Sequence, residues 1–165
     1  MKQRTSPPFR LAASPEDFAQ ARALFEEYAA WLAVDLCFQG FAEELVTLPG
    51  AYAPPRGLLM LAGPLDAAIG CIALRPLATD GATSGAVAEV KRLYVSPAAR
   101  GTGLGRRLVQ TVIEGARAIG YRELKLDTLD RMADARSLYV KLGFSECAPY
   151  YHNPIPGAVY MELKL

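Results

Sequence analysis

At 165 residues the chain is the size of one domain, and 52% hydrophobic against 21% charged residues is enough to fill one core. Eighteen basic and seventeen acidic residues leave a net charge of +1, which excludes a nucleic-acid binder built on a basic surface. Three cysteines without a CxxC pair and a single histidine exclude a zinc site and fit reduced thiols in a cytosol. The charge is uneven along the chain. Residues 1–83 carry six basic and nine acidic side chains, residues 84–165 twelve and eight, so an anionic ligand is expected on the second half. No apolar signal core follows Met1. The most apolar stretch, Leu58 to Ile72, is broken by Gly63-Pro64 and Asp66, short of the ~18 clean residues of a membrane span. A cytoplasmic protein with no membrane partner is expected.

In chain order, Phe9 to Ala12 reads as a strand. Ser14-Pro15-Glu16-Asp17 opens a helix, with Ser14 as N-cap, Pro15 in the first helical position and acids at the positive end of the dipole. Phe18, Ala21, Leu24, Phe25 and Tyr28 carry that helix to about Trp31. Gln39 to Val46 is a weaker second helix, and Ala51 to Gly57 a loop. Leu58–Ala62 and Ala67–Leu74 are apolar strands joined by a hairpin signal, Gly63-Pro64-Leu65-Asp66. Thr79 to Gly85 is a polar loop, and Ala88 to Val95 the next strand. A long helix from about Gly103 to Ile119 has the stripe Leu104, Leu108, Val112, Ala116 and Ile119, and Gly120 caps it. Tyr121–Leu126 is a strand and Ala133–Leu142 a short helix. Phe144–Ala148 and Ala158–Leu165 form a last strand pair. The pattern is one mixed α/β domain over residues 1–165, without repeat or linker.

The chemistry concentrates in Leu93-Tyr94-Val95-Ser96-Pro97-Ala98-Ala99-Arg100-Gly101-Thr102-Gly103-Leu104-Gly105-Arg106. A strand ends there, and a glycine-rich turn opens into a helix. Such a turn bares consecutive backbone N–H groups at the positive end of the helix dipole. Glycines at 101, 103 and 105 leave room for a pyrophosphate, and Arg100 and Arg106 can add charge-assisted contacts. The glycines run G-x-G-x-G, so the dinucleotide fingerprint G-x-G-x-x-G does not fit, and no G-K-[ST] ending makes a nucleotide P-loop.

The spacing Arg100-x-x-Gly103-x-Gly105 after this strand resembles the acetyl-coenzyme A signature of the GNAT superfamily of N-acetyltransferases, Arg/Gln-x-x-Gly-x-Gly/Ala. The resemblance extends to the family's second landmark, Ala135-x-x-x-Tyr139-x-x-x-Gly143-Phe144, and to the element order over nearly the whole chain. It implies a GNAT-like α/β fold: a mixed, mostly antiparallel central sheet flanked by helices. It also implies acetyl-CoA as co-substrate, bound by Leu93, Tyr94 and Val95 of the strand and by Arg100, Gly101, Thr102, Gly103, Leu104, Gly105 and Arg106 of the turn. The strand would pair with the pantetheine amides as an added strand does. One departure is Met132, where the family often has an Asn that helps hold the pantetheine arm.

The activity implied is N-acetyl transfer to a primary amine of a small molecule, direct within a ternary complex. A lysine-type amine, with a pKa of about 10.4, must lose a proton, and a departing thiolate must gain one. Charge developing on the thioester oxygen needs a donor, which a backbone N–H of Leu93–Val95 can be. The resemblance makes Tyr139 the thiolate's proton donor, although its stripe with Ala135, Leu138 and Leu142 is also that of a core tyrosine. Glu89, six residues before Val95, stands where the histone-type members carry a base, acting directly or through water; the plain reading is a glutamate paired with Lys91. Strand alternation puts Glu89, Lys91, Leu93 and Val95 on one face, and Arg92 and Tyr94 on the other. Arg75 and Arg92 either clamp an acceptor carboxylate or pair with surface acids.

Cys37, Cys71 and Cys147 open no helix that would activate a thiol, so an acetyl-cysteine route is not expected. His152, in the Tyr150–Pro154 loop, reads as solvated or as orienting substrate. The residues leave open acetylation of protein lysines or N-termini, or a non-catalytic acyl-CoA sensor. They also leave a homodimer open. No metal and no nucleic-acid partner are expected.

Overall fold

A computed structural model describes residues 7–79 and 85–165, and most of the Thr79–Gly85 loop lies outside them. Its first strand, β1 (Phe9–Leu11), leads into α1 (Pro15–Leu32) through the expected cap. The Ser14 hydroxyl accepts the Asp17 N–H at 3.1 Å, and Asp17 in return accepts the N–H groups of Ser14 and Ala13. Arg10 Nε donates to the same carboxylate at 2.8 Å, tying β1 to the helix start. After α1, a 3₁₀ turn at Cys37–Gln39 ends at Gly40 in the left-handed region, and only then does α2 (Phe41–Thr47) begin. The second expected helix is thus two pieces, because Gly40 breaks it.

Strands β2 (Leu58–Ala62), β3 (Gly70–Pro76), β4 (Val87–Val95), β5 (Glu123–Leu129), β6 (Ser145–Glu146) and β7 (Ala158–Lys164) complete one seven-stranded sheet. Its order is β1-β2-β3-β4-β5-β7-β6, with β7 inserted between β5 and β6. Every pairing is antiparallel except β4 with β5. This is the expected mixed, mostly antiparallel α/β sheet. The amphipathic α3 (Leu104–Ile119) buries Leu104, Leu108, Val112 and Ala116 on one face of the sheet, together with α4 (Ala133–Lys141). On the other face α1 packs Ala21, Leu24 and Phe25 against Leu59, Leu61, Cys71 and Ala73. No helix among the described residues is long and apolar enough to cross a membrane.

Two irregularities of β4 shape everything that follows. The parallel pair with β5 holds only at Val87, Ala88 and Glu89, opposite Glu123, Leu124 and Lys125; beyond that the strands part. The register with β3 then shifts between Cys71 and Ala73, and Arg92 stands at φ 60°. A side chain in the left-handed region inside a strand is strained by about 1–3 kcal/mol, and here the strain belongs to a β-bulge. The bulge corrects the alternation expected from sequence. Arg92 and Tyr94 share the α1 face with Glu89 and Lys91, whereas Leu93 and Val95 join Ala88 and Val90 on the α3 face.

Candidate active site

The glycine turn is held from behind and open in front. A 3₁₀ turn at Pro97–Ala99 follows β4, and Thr102 Oγ1 donates to Ala99 O at 2.7 Å. Gly101 and Gly103 lie at φ 74° and 81°, and a Cβ on either would meet nothing within 4 Å. Both therefore need glycine for backbone shape, and both border free space. Among the described residues no acceptor meets the N–H groups from Gly101 to Arg106, at the positive end of a sixteen-residue helix. Arg106 is exposed there. Arg100 donates from Nε to Val95 O at 3.0 Å, and its guanidinium lies 4.8 Å from the centre of the half-exposed Trp31 ring.

Where β4 and β5 separate, a cavity passes between them. It is lined by Val90 to Leu93 of β4, Asp127 to Leu129 of β5, Met132, Ala135 and Tyr139 from α4, and Tyr28 and Leu32 of α1. Tyr139 is buried, its ring 5.6 Å from that of Phe144, and no protein partner among the described residues holds its hydroxyl by a hydrogen bond. Burial holds that phenol well above its usual range, so it stays protonated and able to donate. Tyr139 thus packs on Phe144 and also lines the cavity. Met132 precedes α4 and accepts only a weak contact from Thr128 Oγ1 at 3.7 Å.

On the α1 face the polar side chains form a continuous buried network. Glu89 is 1% exposed. Its Oε2 takes Arg75 Nε at 2.8 Å and Nη2 at 2.7 Å, its Oε1 takes the Tyr150 hydroxyl at 2.9 Å, and Lys91 Nζ stands 3.6 Å away. Lys91 is itself buried, 3.6 Å from Asp127 Oδ1, and donates to Gln39 Oε1 at 3.2 Å. Burial pushes its ammonium below the usual lysine range while the two carboxylates pull it back. Asp127 Oδ2 accepts from the Tyr151 hydroxyl and, at 2.9 Å, from Asn153 Nδ2. Arg92 pairs with Glu44 at 2.9 Å and donates to Gln39 Oε1, also at 2.9 Å. Both arginines are therefore engaged with acids, Arg75 with a fully buried one and Arg92 with a largely buried one. Gln39 closes the network by donating to the Tyr151 hydroxyl at 3.2 Å.

The expected residues thus fall into three places: the turn from Arg100 to Arg106, the cavity with Leu93 and Tyr139, and the network around Glu89. Glu89 does not line the cavity; its neighbour Lys91 does. Tyr94 lies under Tyr28 and Trp31. Sequence reasoning missed Asp127, Gln39, Tyr150, Tyr151 and Asn153 as site residues, although the loop carrying the last three stood out. Its histidine, His152, is exposed. The thiols are poor nucleophiles: burial raises Cys71 and Cys147, and the Asp35 carboxylate raises Cys37. No group of three His, Cys, Asp or Glu among the described residues suits a metal ion.

Known proteins match this arrangement. The profile of the Acetyltransferase (GNAT) family covers residues 21–144. An uncharacterized N-acetyltransferase of Schizosaccharomyces pombe is 40% identical over 92% of this chain and 90% of its own. A Klebsiella aerogenes aminoglycoside N(6')-acetyltransferase is 31% identical over 73% of this chain and 84% of its own. The fold also matches a solved structure of Salmonella typhimurium yncA with its cofactor acetyl-CoA, at a TM-score of 0.71 and 20% identity over 97% of this chain and 94% of that one. With the profile spanning the glycine turn, the bulged strand and the cavity tyrosine, the chain belongs to the GNAT family and is an N-acetyltransferase.

Proposed function

We propose that this enzyme transfers an acetyl group from acetyl-CoA to the primary amine of a small molecule, directly within a ternary complex. The observation that carries the reading is the cavity where β4 and β5 part, lined by Leu93 and Tyr139, on the strand that leads into the bare amides of the glycine turn. The residues suit the cofactor. Free space at Gly101 and Gly103 and six uncommitted N–H groups would hold a pyrophosphate, and the separated stretch Leu93–Val95 would pair with the pantetheine amides. Leu104 and Gly105 give the first helical turn that supplies part of those amides, Thr102 braces the turn, and Arg106 and Arg100 add positive charge beside it. When bound, acetyl-CoA supplies an activated thioester carbonyl.

Tyr139 donates the proton that the departing sulfur needs, and a backbone N–H of Leu93–Val95 faces the charge developing on oxygen. The proton lost by the amine passes to the carboxylates of the α1 face, of which Glu89 is the one singled out by sequence. A small acceptor is favoured because Gln39 and the Tyr150–Asn153 loop cover Lys91, Glu89 and Asp127 through hydrogen bonds. The aminoglycoside-acetylating relative points the same way. Absence of an activated thiol favours direct transfer over an acetyl-cysteine.

Gly103→Asp tests the cofactor site. It adds bulk and negative charge at a left-handed position beside the amides, so coenzyme A affinity measured by calorimetry should collapse while the melting transition survives. Equal affinity in wild type and variant would remove the reading.

A further inference from the structure

The acceptor's proton has two carboxylates within reach of Lys91, and their surroundings differ. Both oxygens of Glu89 are covered, one by the Arg75 guanidinium and the other by the Tyr150 hydroxyl, and the side chain does not line the cavity. Asp127 does line it. It lies on β5 two residues beyond Lys125, the last residue paired to β4, so it stands where the strands have parted. Its Oδ2 is committed to Tyr151 and Asn153, but Oδ1 accepts no hydrogen bond from the described residues; its nearest cation is Lys91 Nζ at 3.6 Å. Burial raises the phenols of Tyr139 and Tyr28 across the cavity, and the Asp127 charge adds to it in both.

Resting on the acetyltransferase reading above, we propose that Asp127 Oδ1, and not Glu89, receives the acceptor ammonium and takes its proton. Burial favours that transfer: away from water a neutral amine beside a neutral carboxyl costs less than an ammonium–carboxylate pair, and Lys91 keeps Glu89 and Gln39 as partners when the Asp127 charge is lost. The step balances as follows. One ammonium proton moves to Asp127, and the nitrogen lone pair forms the bond to the acetyl carbon as the carbon–sulfur bond breaks. The second nitrogen proton ends on sulfur by way of the Tyr139 hydroxyl, which gives its own proton and regains one. Asp127 releases the first proton to solvent, leaving amide, free thiol and one H⁺.

Asp127→Asn keeps the shape: the amide oxygen can turn toward the Tyr151 and Asn153 donors, leaving an NH₂ toward the cavity that neither binds an ammonium nor accepts a proton. The test compares coenzyme A release, in wild type and variant, with aliphatic amines (ammonium at neutral pH) and with weakly basic amines such as hydrazides and alkoxyamines (already neutral). For aliphatic amines kcat/KM should fall by roughly 10²-fold or more, the range of a general base. For the neutral amines it should stay near wild type. Calorimetry of an aliphatic ammonium against the protein saturated with acetyl-free coenzyme A should show weaker binding to Asp127→Asn, with coenzyme A affinity itself unchanged. Glu89→Gln and Tyr151→Phe should lower both amine classes alike. Asp127→Ser carries the same expectation if the Asn variant does not fold. Equal loss or no loss across the two classes in Asp127→Asn, or class-selective loss in Glu89→Gln, overturns the assignment. A wild type that releases no coenzyme A with any amine overturns the acetyltransferase reading instead.

Discussion

A phenol with its ring packed on Phe144 and its hydroxyl facing a cavity can be altered at the oxygen without disturbing the packing. Tyr139→Phe is therefore expected to lower kcat by roughly 10²-fold, as for loss of a general acid, with coenzyme A affinity unchanged in calorimetry. An unaltered kcat would leave Tyr139 as a core residue only. Residues such as this one, and the glycines of the turn, are legible in sequence because their spacing is local. Arg92 is not. Nothing in Lys91-Arg92-Leu93 announces a left-handed residue, since the bulge arises from pairing with β3 about twenty residues earlier in the chain. Reading simple alternation through it puts Arg92 and Tyr94 on the wrong face. The carboxylate clamp meets a related limit: Arg75 and Arg92 stand beside the site, but each already holds a carboxylate.

Among the elements, α1 has the most complete N-terminal cap. The Arg10 guanidinium, and after it the Ala13 and Ser14 N–H groups, hold the Asp17 carboxyl below its ordinary value, even though partial burial works the other way. A depressed carboxylate contributes stability that is present above its unfolded pKa and lost as pH falls through the folded one. Asp17→Asn should thus lower stability at pH 7 by about 1 kcal/mol. In urea unfolding the gap between variant and wild type should close as pH drops through the acid range below about 4. A gap of constant size from pH 7 to pH 2 would show that the charge of Asp17 contributes nothing. This cap was readable because Ser14-Pro15-Glu16-Asp17 is contiguous. β5 was only half readable: apolar residues carry it to Leu126, while Asp127 and Thr128 look like the start of a turn. The strand continues to Leu129 because β7 pairs with it along its full length, a partner thirty residues away. Asp127 was lost to the sequence reading with those last residues. The Tyr150–Asn153 loop was lost for the same kind of reason, as its partners Glu89 and Asp127 lie 61 and 24–26 residues earlier.

The whole molecule is two half-sheets, β1–β4 and β5–β7, joined along their common edge by three residue pairs. Elsewhere their connection runs through helices, the buried ion pairs and the roof over the α1 face. A ligand lying in the gap as an extra strand would be the missing rung of the ladder, so part of the protein's cohesion would reside in a small molecule. Binding to the folded state alone raises stability by RT ln(1 + [L]/Kd), about 2.7 kcal/mol at a hundredfold excess over Kd. The melting temperature should accordingly climb with coenzyme A concentration and show no plateau until solubility intervenes. Amide hydrogen exchange should slow at Leu93, Val95 and Leu126–Thr128 well before it slows in β2 or β3, whose ladder is already complete. Uniform slowing over the whole sheet would mean that the gap is not where the ligand lies. In a cell, the abundance of intact enzyme would then follow the supply of its own acyl donor, because a chain with an empty gap opens along that seam and offers its strand edges to proteases.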